Sequence, residues 1–107
     1  MPVVLLVEWD NPKDEERNEK RHKYVREVVE PYSNKLIHQN GIKVDSSDWA
    51  DNTGHIVDWT IYETMEDFAK MWNDERYQQI WARWTSLVYN VRIRLLRPST
   101  TIPEDLK

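Results

Sequence analysis

The chain has no cysteine and only two glycines in 107 residues. Without cysteine there is no disulfide framework, no thiolate metal site and no cysteine nucleophile. So few glycines leave little room for tight hairpins and favour long regular elements. Long apolar runs are missing too. The five residues Val3 to Val7 are too few for a membrane span or a secretory core, and no basic segment precedes them. Basic excess is absent: the net charge is −4 and the pI about 5.3. Nucleic-acid and anionic-membrane partners, which need basic patches, are therefore not expected. No glycine-rich phosphate loop, nucleophile elbow or acidic metal cluster is present. The three histidines, His22, His38 and His55, share no metal-binding spacing such as i, i+4 and read as solvated or capping residues. These absences describe a soluble, cytoplasmic protein of one domain, with no metal and no cofactor.

What is there is strongly periodic. Val3 to Trp9 reads as a central strand covered on both faces. Asn11-Pro12 opens a helix from Lys13 to about Gln39, with Tyr24, Val25, Val28, Val29, Tyr32 and Leu36 on one stripe. Pro31 lies inside it, which predicts a kink near Val28–Pro31. Asn40-Gly41 stops the helix. Ile42 to about Ser47 alternates as an edge strand, "SSDWADNTG" is a polar turn, and His55 to Tyr62 alternates again. Thr64 with Asp67 forms a weak capping box for a helix running to about Asn90. Val91 to Leu96 is the last strand, and Pro98 ends it. The order β-α-β-β-α-β is the ferredoxin-like split βαβ arrangement, an α+β fold with one antiparallel sheet and both helices on one face. The domain is expected over residues 1–97, with a tail at 98–107.

Alternation assigns the strand faces. Val3, Leu5, Val7, Trp9, Ile42, Val44, Val57, Trp59, Ile61, Val91, Ile93 and Leu95 form the more apolar set, expected under the helices. The opposite face then gathers Val4, Leu6, Ile56 and Leu96 with Glu8, Asp58, Thr60, Tyr62, Arg92 and Arg94. A mixed apolar face without helices points to a partner or a ligand cleft. Carboxylates buried beside arginines can serve as acid and base groups, or they can be a salt-bridge network between subunits. Trp49, in the polar turn, is expected to cap a cleft or meet a dimer partner.

The stretch Tyr62 to Gln78, "YETMEDFAKMWNDERYQ", resembles the strand-to-helix signature of dimeric α+β barrel proteins of the antibiotic-biosynthesis-monooxygenase type. It shows the aromatic-Glu pair Tyr62-Glu63, the helix face of Phe68 and Ala69, the acidic break Asn73-Asp74-Glu75, and Tyr77. The resemblance implies a homodimer in which two helix-free faces close a barrel around a small hydrophobic ligand. By the same resemblance the protein would be a cofactor-free monooxygenase acting on an aromatic or polyketide-like substrate. Glu8, Asp58, Tyr62 and Arg94 would be its catalytic groups, and Trp49, Thr60, Trp72 and Arg92 would contact the substrate. Haem-degrading relatives carry a helix histidine where this chain has "YQQIW" (Tyr77 to Trp81), so haem is not expected. The rival reading is a non-catalytic dimeric binding or stress-related protein.

One short stretch, "MWNDERYQQIWARW" (Met71 to Trp84), holds three of the six tryptophans. On one straight helix, Trp81 and Trp84 fall on a stripe opposite Phe68, Met71 and Trp72. A break at Asn73-Asp74, with Asp74 as a new N-cap, resolves the conflict. Trp81 and Trp84 are then core anchors, and Trp72 is the one expected to face a ligand.

Overall fold

A computed structural model describes residues 1–99. From residue 100 onward the expected tail lies outside the described residues. Strand β1 (Val3–Asp10) is followed by a helical run of α1 (Glu15–Tyr24), a π-helical turn (Val25–Val29) and α2 (Glu30–Asn40). Next come β2 (Val44–Ala50), β3 (His55–Tyr62), α3 (Met65–Trp72), α4 (Glu75–Thr85) and β4 (Tyr89–Leu96). The four strands make one antiparallel sheet in the order β2-β3-β1-β4. This is the ferredoxin-like α+β fold, with the helices packed on one face of the sheet.

The caps follow the sequence. Asp14 receives the Arg17 amide at 2.9 Å, Thr64 receives that of Asp67 at 3.1 Å, and Gly41 ends α2 in the left-handed region at φ 60°. Each satisfies backbone groups that a helix end leaves open. The distortion expected near Pro31 is a π turn placed just ahead of it, with Pro31 in the first turn of α2. Proline cannot donate to a carbonyl one turn back, and the widened turn absorbs that loss. The π turn also rotates the downstream face. From Arg21 to Ile37 a regular helix at about 100° per residue would end about 160° off its starting direction. The extra residue takes back about 100°, so the two side chains lie about 60° apart, on one face.

The second helical segment breaks at Asn73-Asp74, as the tryptophan pattern requires. Asp74 caps α4 by accepting the Tyr77 amide at 2.8 Å, and the same carboxylate oxygen accepts the Tyr32 hydroxyl at 2.7 Å. One side chain thus starts α4 and ties it to α2. The break does not separate the tryptophans; it brings them together. Trp72 meets Trp81 at 4.8 Å between ring centroids, Trp81 meets Trp84 at 5.1 Å, and Trp84 meets Trp9 of β1 at 4.9 Å. The core is this aromatic chain packed on Val3, Leu5, Val7, Leu36, Ile42, Tyr62 and Val88.

Three expectations fail here. Ser46 to Trp49 belong to β2 and not to a turn, because they pair along β3, Ser46 with Thr60 and Trp49 with Val57. Strand β3 has the opposite phase from the one expected. Val3 pairs with Tyr62, Leu5 with Thr60 and Val7 with Asp58, so Ile56, Asp58, Thr60 and Tyr62 share the helix side with β1's core residues. Val57, Trp59 and Ile61 lie on the helix-free face. On edge strand β4 the helix-side residues Ile93 and Leu95 pair with Val7 and Leu5 yet stay exposed, since the helices do not reach across that edge.

Replacing Asp74 with alanine should cost about 2 kcal/mol, about 1 for the lost cap and about 1 for the hydrogen bond from Tyr32. Tyr32→Phe should cost about 1 kcal/mol. Urea unfolding measures both, and equal losses for the two variants would show that the cap contributes nothing.

Candidate functional site

Because β3 turns Asp58, Thr60 and Tyr62 toward the helices, they line a cleft of about 530 Å³ between the sheet and the helical layer. That volume is in the range of small-molecule sites. Strands β1 to β3 form the floor. The wall comes from the face that the π turn assembles, Arg21, Val25, Val29 and Ser33, and from Tyr77, Trp81 and Trp84 of α4. The exposed lining residues Glu30, Asn34 and Ser46 to Asp48 place the mouth between α2 and the β2 edge.

Asp58 is the central ionisable group. Its cross-strand partner is Asp48. The Thr60 hydroxyl donates to Asp58 Oδ1 at 2.5 Å. Burial and the hydrogen bond shared with Asp48 push the Asp58 carboxyl up to about 7, and only the Thr60 hydrogen bond opposes this. Asp58 is the half-buried member of this pair, and its carboxyl keeps its proton up to near neutral pH. Near neutral pH Asp58 can therefore both give and take a proton.

Two phenols stand nearby. Tyr62 is almost fully buried and its oxygen accepts from Trp72 Nε1 at 3.3 Å. Burial, with Tyr77 and Asp58 close by, raises its pKa well above the ordinary range. Burial likewise raises Tyr77, against the lowering effect of Trp81 and Ser33. Both phenols stay protonated at neutral pH and are donors for an oxygen that gains negative charge. Trp81 Nε1 lies near enough to Tyr77 to influence it, but the two lack hydrogen-bond geometry, and this buried N–H has no partner among the described residues.

The predicted site residues thus divide between two faces. Asp58, Thr60 and Tyr62 are in the cleft. Glu8, Arg92, Arg94 and Trp49 are on the helix-free face, since Glu8 pairs with Val57 and Arg92, and Trp49 with Val57. Trp72 packs in the aromatic core against Phe68, Tyr77 and Trp81 and does not line the cleft. Asp48, Arg21 and Ser33 are not among the expected site residues, and Tyr77 enters there only as part of the helix signature. Asp48 falls in the stretch expected to be a turn, and in a regular helix Arg21, Val25, Val29 and Ser33 would drift about 120° round the axis, which the π turn reduces to about 20°.

On the helix-free face, His55 bridges two carboxylates. Its Nδ1 lies 2.8 Å from Asp10 and its Nε2 3.4 Å from Glu8, whose other oxygen accepts from Arg94 Nη2 at 3.3 Å. The Asp10 hydrogen bond raises the His55 pKa, with Glu8 adding to it and desolvation opposing. His55 is thus neither solvated nor a simple cap. Beside this cluster lie Trp49 (65% exposed), Trp59 (41%) and Ile61 (43%).

No protein-family model matches the chain, and no curated protein matches it. Solved structures do. Rv0793 from Mycobacterium tuberculosis is similar with a TM-score of 0.62 and 13% identity, covering 92% of this chain and 95% of that one. A NIPSNAP family protein from Agrobacterium tumefaciens str. C58 gives 0.58 and 16%, covering 97% and 99%. The de novo designed protein Ferredog-Diesel gives 0.52 and 14%, covering 91% and 85%. At such identities the likeness establishes the fold alone. The resemblance to the antibiotic-biosynthesis-monooxygenase type is upheld at the level of a ferredoxin-like fold.

The raised Asp58 carboxyl has a consequence for stability. The folded state binds this proton more tightly than the unfolded chain, so the stabilisation is full below about pH 4 and is lost as pH rises to about 7. Asp58→Asn should therefore unfold later than the parent at pH 8, by on the order of 2 kcal/mol, with the difference vanishing near pH 4. Urea denaturation at both pH values checks this; a constant difference would mean that Asp58 titrates normally.

Proposed function

We propose that the cleft binds a flat, hydrophobic small molecule and that Asp58, with Asp48 beside it, is its acid and base. The observation that supports this most is a carboxyl raised to about 7 inside a cleft walled by aromatic rings. A C–H beside a carbonyl delivers its proton to the Asp58 carboxylate, and the resulting enolate oxygen is met by the protonated phenols of Tyr77 and Tyr62. Aromatic walls keep water out, which strengthens both contacts. In the monooxygenase version of this reading, such a carbanion on an aromatic ring system reacts with dioxygen, and the net change at a methylene is CH2 + O2 → C=O + H2O. The chain's residues would supply only the proton transfer and the enclosure.

The rival is a binding protein that uses the same cleft without chemistry. Proton exchange separates the two. With 2-indanone in D2O, the wild type should speed α-proton exchange, with a rate that rises with pH through about 7. Asp58→Asn should lose on the order of 100-fold. NMR follows the exchange and an oxygen electrode follows any oxygenase step. Binding with no acceleration would favour the rival, and the absence of both would remove the cleft as a ligand site.

The helix-free face supports a homodimer. Trp49, Trp59 and Ile61 form an exposed apolar group on the sheet, and no helix among the described residues covers that face. Pairing two such faces closes an α+β barrel and desolvates the Glu8–His55–Asp10–Arg94 cluster while keeping it internally paired. Trp59→Glu should convert a dimer into a folded monomer, read by analytical ultracentrifugation with circular dichroism as the folding control. A wild-type monomer at 100 µM would contradict the dimer.

A further inference from the structure

The residues that line the cleft include several carboxyls but one cation, Arg21. Its position is unusual for an arginine. The side chain is half-buried, and its one side-chain partner among the described residues is neutral: Nε donates to Asn18 Oδ1 at 2.9 Å. No carboxylate among the described residues comes within ion-pair distance, although the cleft holds Glu30, Asp45, Asp48 and Asp58. Desolvation lowers its pKa, with Glu19 opposing. Charges removed from water are ordinarily paired, because desolvation is costly unless an opposite charge offsets it. The bond through Nε fixes the guanidinium plane and leaves both terminal nitrogens free to hold a carboxylate side by side.

The fold turns this cation inward by a specific device. Without the π turn, Arg21 would sit about 160° from Ile37 and could not share its face. Glu30, Asp45 and Asp48, by contrast, are exposed on the rim and keep their water. Arg21 on α1 and Asp58 on β3 are beyond ion-pair distance of each other, so the two can act at separate places in the cleft.

We propose that the cleft takes an organic anion, an aromatic or polycyclic carboxylic acid whose carboxylate is held by Arg21 while its apolar body lies against Trp81 and Trp84. This rests on the reading of the cleft as a small-molecule site and names the class of molecule. The arginine sets orientation: with the acid group anchored there, the far part of the ring system is directed toward Asp58.

The test compares 2-naphthoate with its methyl ester, read by quenching of intrinsic tryptophan fluorescence. Wild type should bind the acid at least 10-fold more tightly than the ester. Arg21→Gln should lower acid binding to the ester's level and leave ester binding unchanged, and Arg21→Lys should recover only part, because an ammonium lacks the planar fork. Arg21 gives up a single side-chain hydrogen bond, to Asn18, in these variants, and circular dichroism checks that each is folded. Equal binding of acid and ester, or an Arg21→Gln variant that still prefers the acid, overturns the anion site while the cleft stands. Binding of neither probe overturns both.

Discussion

Tyr62 is held under the helices, and the phase of β3 follows from it. The ring is almost fully buried, edge-on to Phe68 at 5.4 Å between centroids and bonded through its oxygen to Trp72. Side chains alternate along a strand, so fixing Tyr62 fixes Thr60, Asp58 and Ile56 on the same side. It also sends Ile61, Trp59 and Val57 to the other face. The cleft chemistry and the exposed apolar patch are two outcomes of one strand's phase. A slip of one residue would put Asp58 outside and Trp59 inside, and it would bury Ile61 where Thr60 now accompanies the acid pair.

The sheet therefore has two faces with different demands. Toward the helices it carries an aromatic core and a cleft in which Asp58 cannot easily ionise. Away from them it carries tryptophans beside a fully paired ionic cluster, where His55 is held by Asp10 and Glu8, and Glu8 in turn by Arg94. A histidine with a carboxylate on each ring nitrogen is a linker and has no free nitrogen for a substrate. The polar residues that sequence reasoning placed in one constellation thus lie on opposite faces, Asp58, Thr60 and Tyr62 in the cleft and Glu8, Arg92 and Arg94 on the helix-free side.

Element order, strand order, the break at Asn73-Asp74 and the cap at Asp74 were legible because each has a local signature: alternation, a turn residue or a capping side chain. The phase of β3 was not. Both of its alternating sets contain apolar residues, and the more apolar set, Val57, Trp59 and Ile61, reads as core. It faces outward because Tyr62, at the end of the same strand, is buried under the helices and fixes the alternation, a constraint that the strand's own pattern does not encode. Asp48 was missed because its segment reads as a turn, and only pairing with β3 makes it a strand opposite Asp58. Arg21 was missed because a π turn shifts helical spacing, so residues four apart align over a longer stretch than a regular helix allows. Trp72 reads as ligand-facing because it lies in the short segment before the break, whereas the break swings it against Trp81.

Most of this depends on Asp58 facing a partly dry cleft with Asp48 beside it. Carbon-13 NMR of the aspartate carboxyl carbons, assigned with Asp58→Asn, tests that directly by following the chemical shift from pH 3 to pH 9. A carboxyl with a midpoint near 7, lost in the variant and broadened by coupling to Asp48, is the expected result. A midpoint for Asp58 near the ordinary 3.8 would place it in water and contradict the site.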